Sequence, residues 1–120
     1  MKRMTVSMAA VMVLGSFIAF PKTRIFTGEI MDSRCGVTGS HGSPVETSQQ
    51  CTLECVRAGA RYVLYDPEKR LAYGLDNQRL PEGFAGDQVK IIGVFEPTTR
   101  SIHVFAIEPI TENAQLVKAH

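Results

Sequence analysis

Apolar residues fall into one long uncharged run near the N-terminus and then into short clusters separated by polar, proline- and glycine-bearing turns. Arg24 to Asp32 (RIFTGEIMD) alternates in part, with Phe26 and Ile30 directed one way and Thr27 and Glu29 the other. That period of two predicts a strand, and Gly28 in its middle marks a bulge or sharp bend. Arg61 to Tyr65 (RYVLY) and Arg70 to Leu75 (RLAYGL) are rich in aromatic and aliphatic residues, and the turn residues Asp66-Pro67-Glu68-Lys69 join them as a hairpin. Gln88 to Phe95 (QVKIIGVF) and Ser101 to Ile107 (SIHVFAI) make a second hairpin across Glu96-Pro97-Thr98-Thr99-Arg100. Between the hairpins, Leu80 to Gly86 (LPEGFAG) reads as a tight connection with Phe84 turned inward.

Residues 36–50 hold Gly36, Gly39, Gly42, Pro44 and several Ser and Thr with few apolar anchors, which is the composition of a loop. Thr47 or Ser48 then caps a short helix over about 49–58, because Thr47-x-x-Gln50 fits a capping box and Gly59 fits a left-handed stop. Leu53 and Val56 give this helix an apolar ridge, and Cys51 and Cys55 lie on an adjacent one. Five strands and one helix within residues 24–108 predict a mainly β domain: a small five-stranded OB-like barrel with one short helix after the glycine-rich loop. Closing the sheet removes exposed edges that invite aggregation. An open sheet with the helix on one face is the alternative. Residues 109–120 form a polar tail, either a loose end or a short helix.

The long apolar run adds an address. Met1-Lys2-Arg3 is a short positive start, and the 17 residues from Met4 to Phe20 carry no charge and only Thr5, Ser7 and Ser16 as polar side chains. This is the pattern of a secretory signal peptide over residues 1–20, followed by a linker at 21–23. Ala19 suits the position just before a cut, whereas Phe17 is large for the position two before it. The run reaches the lower limit of the roughly 17–25 residues that span a bilayer, so an uncleaved signal-anchor is the alternative. Export to the periplasm or the exterior is expected in both cases, with membrane attachment only if the segment is retained. The 120 residues suffice for one small domain and are too few for two. The formal net charge is +1, and without Lys2 and Arg3 eleven basic residues face twelve acidic ones. A near-neutral domain has no footprint for phosphate backbones, which excludes a dedicated nucleic-acid binder.

Chemistry concentrates in Cys35-x5-His41-x9-Cys51-x3-Cys55, which contains all three cysteines of the chain. An oxidising compartment consumes unpaired thiols, and an odd number leaves one over unless it pairs between molecules or binds metal. Two cysteines four apart on a helix have Cβ atoms about 5–6 Å apart. A disulfide needs about 3.5–4.5 Å, so Cys51 and Cys55 are not expected to bridge. The expected bridge is Cys35–Cys51 or Cys35–Cys55; closing a loop of about 15 residues is worth roughly 3 kcal/mol. In the alternative, Cys35, His41, Cys51 and Cys55 form a complete tetrahedral Zn²⁺ set, closed and therefore structural. A third reading is thiol redox chemistry at Cys51, whose thiol would be activated by the helix N-terminus. Covalent haem is unsupported, because Val56 stands where a histidine ligand would follow Cys55.

Other candidates have simpler explanations. His103 reads as a half-exposed strand residue, His120 as terminal, and Glu29 with Asp32 as a strand edge leading into a loop. Asp76-Asn77-Gln78-Arg79 reads as a polar strand-ending turn, or as part of a ligand rim. Tyr62, Tyr65 and Tyr73 are expected to pack the first hairpin. No serine, histidine and acid arrangement stands out, and the glycine-rich loop lacks the lysine of a phosphate loop.

Taken together, Phe26-Thr27-Gly28, Asp32-Ser33-x-Cys35-Gly36, Gly39-Ser40-His41, Cys51-x3-Cys55-Val56-x-x-Gly59-Ala60 and Tyr62-Val63-Leu64 are similar to a family of small exported bacterial proteins known only as a domain of unknown function. The likeness continues through Tyr73-x-Leu75-Asp76-x-Gln78, Phe84-Ala85-Gly86-x-x-Val89-x-Ile91-x-Gly93 and Ile102-x-Val104, covering about residues 24–108. The resemblance implies a signal peptide, an OB-like β domain and the cysteine–histidine segment, and it supplies no activity. The leading expectation is an exported non-enzymatic binding or structural module, without a cofactor and stabilised by a disulfide from Cys35. Its partner would be an unidentified envelope protein or small ligand. Zn²⁺ binding and envelope thiol chemistry are the alternatives.

Overall fold

Strands form where the apolar and polar positions alternate: β1 (Arg24–Asp32), β2 (Tyr62–Asp66), β3 (Leu71–Leu75), β4 (Gln88–Glu96) and β5 (Ser101–Pro109). Among the described residues one α-helix, α1 (Ser48–Arg57), precedes β2. The computed structural model describes Gly15, residues 22–41 and residues 47–111; the leader apart from Gly15, part of the glycine-rich loop and the end of the tail lie outside the described residues. No helix among the described residues is long and apolar enough to cross a membrane.

The sheet closes on itself in the order β1-β2-β3-β5-β4, with β4 returning to β1. The open-sheet alternative is thereby set aside. Neighbours run antiparallel except β3 and β5, which pair in parallel through Gly74–Ser101 and Leu75–Ile102. Closure depends on β1, whose first part pairs with β4 from Arg24 to Glu29 and whose last part pairs with β2 from Glu29 to Asp32. The strand hands over between partners beside Gly28, where a Cβ would collide with the backbone carbonyl of Tyr65. Inside the ring, Phe26 and Ile30 of β1, Leu64 of β2, Val89 and Ile91 of β4 and Ile102 of β5 form the core, and Leu53 and Val56 of α1 pack against it.

The two hairpins share one design. Four-residue loops, Pro67–Arg70 and Pro97–Arg100, follow an acid whose side chain accepts a turn N–H. Asp66 Oδ1 accepts from Glu68 N at 2.9 Å and Glu96 Oε1 from Thr98 N at 3.2 Å. Each loop ends on an arginine in the left-handed region, Arg70 at φ 53° and Arg100 at φ 52°. Glycine is the default residue for that conformation.

The polar run after β3 is structural throughout. Gln78 accepts from Tyr62 N at 2.8 Å and donates to the carbonyls of Tyr62 and Leu75 at 3.0 Å each, clamping the start of β2 to the end of β3. Asp76 Oδ1 accepts from Val104 N at 2.9 Å and its Oδ2 meets His103 Nδ1, tying the same end to β5. Burial pushes the Asp76 carboxyl up, but these partners outweigh it and hold it below its ordinary range. His103 is exposed, in agreement with the strand reading.

Candidate metal centre

The end of β1 is built to turn. Asp32 is fully buried, and its Oδ1 accepts from the N–H groups of Arg34 and Cys35 at 3.0 Å each. Such a local side-chain bond gives the backbone an alternative to the sheet ladder. The chain bends into a 3-10 turn at Cys35–Val37, which sets the Cys35 thiol beside the carboxylate. Ser33 fixes the bend from outside: its N–H donates to Arg61 O at 2.7 Å and its Oγ accepts from Arg61 N at 3.0 Å.

Helix α1 supplies the other two sulfurs. Both bonds of the expected capping box form at 3.1 Å, Gln50 N to Thr47 Oγ1 and Thr47 N to Gln50 Oε1. The far end closes at Gly59, φ +107°, with Ala60 N donating to Cys55 O at 3.0 Å. The helix start abuts Gly86, φ +79°, whose N–H donates to Ile30 O of β1 at 2.8 Å. A side chain at Gly86 would run into the backbone of Ser48 and Gln49, so this glycine sets how closely the helix approaches the sheet.

The result is a cluster of four donors. A carboxylate oxygen of Asp32 and the sulfurs of Cys35, Cys51 and Cys55 all lie within 4.8 Å of one another. Zn–S bonds of about 2.3 Å in a tetrahedron imply sulfur–sulfur edges of about 3.8 Å, so small movements would bring the donors onto one ion. Asp32 and Cys51 are buried, and Cys35 and Cys55 half-buried. Asp32 Oδ2 is buried and receives no N–H or hydroxyl donor among the described residues. Burial, followed by the hydrogen bond and negative charge of Asp32 and then by Cys51, pushes the Cys35 thiol up to about 12. The Cys55 thiol is raised by burial first and then by Asp32 and Cys51, with Arg34 opposing. A cation held between them would favour the thiolate forms of Cys35 and Cys55 that burial and the neighbouring acceptors oppose.

Three of the four residues in the expected metal set meet; the fourth does not. His41 Nε2 pairs with Glu29 Oε2 at 3.0 Å, both half-buried, and Asp32 takes the remaining corner. The expected disulfide from Cys35 is also absent: all three sulfurs are free and no pair stands at disulfide distance. Cys51 is only 5% exposed, so its sulfur is poorly placed for attack on an external disulfide. From the sequence Asp32 reads as a strand edge, an ordinary place for a carboxylate; the signal beyond that is the D-x-x-C spacing at the point where the strand must turn.

No family model, curated protein or solved structure matches the chain. The donor geometry therefore carries the functional reading by itself.

Proposed function

We propose that this chain is an exported, non-enzymatic metal-binding domain that holds one Zn²⁺-class ion between Asp32, Cys35, Cys51 and Cys55 on an OB-like barrel. The observation that carries this is the convergence of four ligand atoms within 4.8 Å, one of them a carboxylate oxygen of the fully buried Asp32. Thiolates select borderline and soft ions, and the single oxygen donor favours Zn²⁺ over Cu(I). Four protein ligands leave no open position, so the ion's role is to fasten α1 and the Asp32 turn to the sheet. Export is supported by the Lys2-Arg3 start and the apolar run behind it.

Co²⁺ serves as a visible stand-in for Zn²⁺. Titrated into the reduced protein, it should saturate at one equivalent with a sulfur-to-metal charge-transfer band and the visible bands of a tetrahedral ion, and Zn²⁺ should bleach both. Cys55→Ser and Asp32→Asn should weaken binding by about tenfold or more, whereas His41→Ala should leave it intact. Loss of the signal in His41→Ala alone would restore the histidine to the ligand set and refute the assignment of Asp32.

A further inference from the structure

A second cleft lies at the start of β1, well away from the cysteines. Its volume of about 420 Å³ is that of a small-molecule site. Phe95, half-buried, lines it together with the outer edges of Phe26 and Tyr73, which belong to the core, the rings meeting edge to face with centroids 5.5 Å apart between Phe26 and Tyr73 and 5.7 Å between Tyr73 and Phe95. Arg24, Lys69 and Arg100 stand around these rings, the Arg24 guanidinium 5.2 Å from the Phe26 centroid. None of the three cations forms a salt bridge among the described residues, and none of the cleft's lining residues is acidic. An adjoining cleft brings in Asp66 and Glu68, but Asp66 Oδ1 is already occupied by the N–H groups of Glu68 and Lys69.

Arg100 stands on the rim at the end of a hairpin loop, with the same backbone conformation as Arg70 outside the cleft. It occupies the left-handed position that closes the β4–β5 hairpin, where glycine would relieve the backbone. From the aromatic lining and the three cations without acidic partners around it, we propose that this cleft binds a small anion with a flat apolar body, the class of aromatic carboxylates and sulfonates. The rings take the flat body and the cations take the charged group. A polyanion is disfavoured, because the domain is near neutral beyond its leader. The proposal does not rest on the metal centre: Asp32 ends the strand that Arg24 begins, roughly 20 Å or more along β1.

Naphthalene-2-sulfonate is the probe, titrated into the purified protein by NMR beside neutral 2-naphthalenemethanol, inorganic sulfate and an oligothymidylate. The sulfonate should bind saturably with shifts centred on Phe26, Tyr73 and Phe95, and about tenfold more tightly than either half-ligand. Arg100→Gly should raise the melting temperature while weakening the sulfonate about fivefold or more; Arg70→Gly, with the same strained turn outside the cleft, should raise it without affecting binding. The proposal fails if the neutral alcohol binds as well as the sulfonate, if nothing saturates by millimolar concentration, if the oligothymidylate binds more tightly, or if Arg70→Gly weakens the sulfonate as much as Arg100→Gly.

Discussion

Stripping the ion with a chelator is expected to lower the unfolding midpoint of the reduced domain by about 15 °C or more. A ligand present at a thousandfold its dissociation constant contributes about 4 kcal/mol to the folded state. In a domain of this size each kcal/mol moves the midpoint by about 4–8 °C. On the proposed reading the ion would matter because of what it joins. Helix α1 packs on the core through Leu53 and Val56, with Cys51 and Thr52 also buried, so on the proposed reading an ion held by Asp32, Cys35, Cys51 and Cys55 would add a fastening between the helix and the turn after β1. Hydrogen exchange should therefore find the loosening in α1 and residues 33–41, with β4 and β5 least affected. Cys51→Ala should abolish the difference between zinc-loaded and chelated samples, since it removes a buried ligand from the centre of the cluster. Equal melting curves with and without chelator would contradict a structural ion.

Gly28→Ala is expected to cost about 3 kcal/mol, at the upper end of typical overpacking penalties. The new methyl would strike the backbone carbonyl of Tyr65, which has no rotamer to escape into. Relief would have to come from moving β1 away from β2, beside the point where β1 hands over from β4. Urea unfolding should show the midpoint falling by about 1–3 M, given slopes of about 1–3 kcal/mol/M for small domains. Gly83→Ala is the matched control: nothing lies within 4 Å of its added Cβ, and a change within about 0.5 kcal/mol is expected.

The strands could be read from the sequence because each one pairs an alternating apolar face with unambiguous punctuation. Pro67 and Pro97 open the two hairpin loops, and the Thr47–Gln50 box starts the helix where expected. Gly28 likewise sits where the long first strand changes partners. The limits of pattern reading are equally local. β5 runs on to Pro109, past the expected end at Ile107, because Glu108 and Pro109 pair with β4 without any apolar signature. Arg70 looked like the first residue of a strand and is instead a left-handed turn residue, a conformation its side chain does not advertise.

At the site, spacing points to the three cysteines, which the fold brings together, while Asp32 and not His41 stands beside them. A loop of glycine and serine leaves the direction of His41 unspecified, and Glu29 on the outer course of β1 holds it. Asp32 owes its role to the closure of β1 onto β2, which buries its carboxylate beside the turn. That is a long-range consequence of the fold, out of reach of local spacing.

Metal analysis with thiol counting, on protein purified natively without added metal or chelator, tests the central claim most directly. One zinc per chain is predicted, with all three thiols slow to alkylate until the ion is removed and all three reactive afterwards. Metal-free protein with a single reactive thiol and the mass deficit of one disulfide would contradict it.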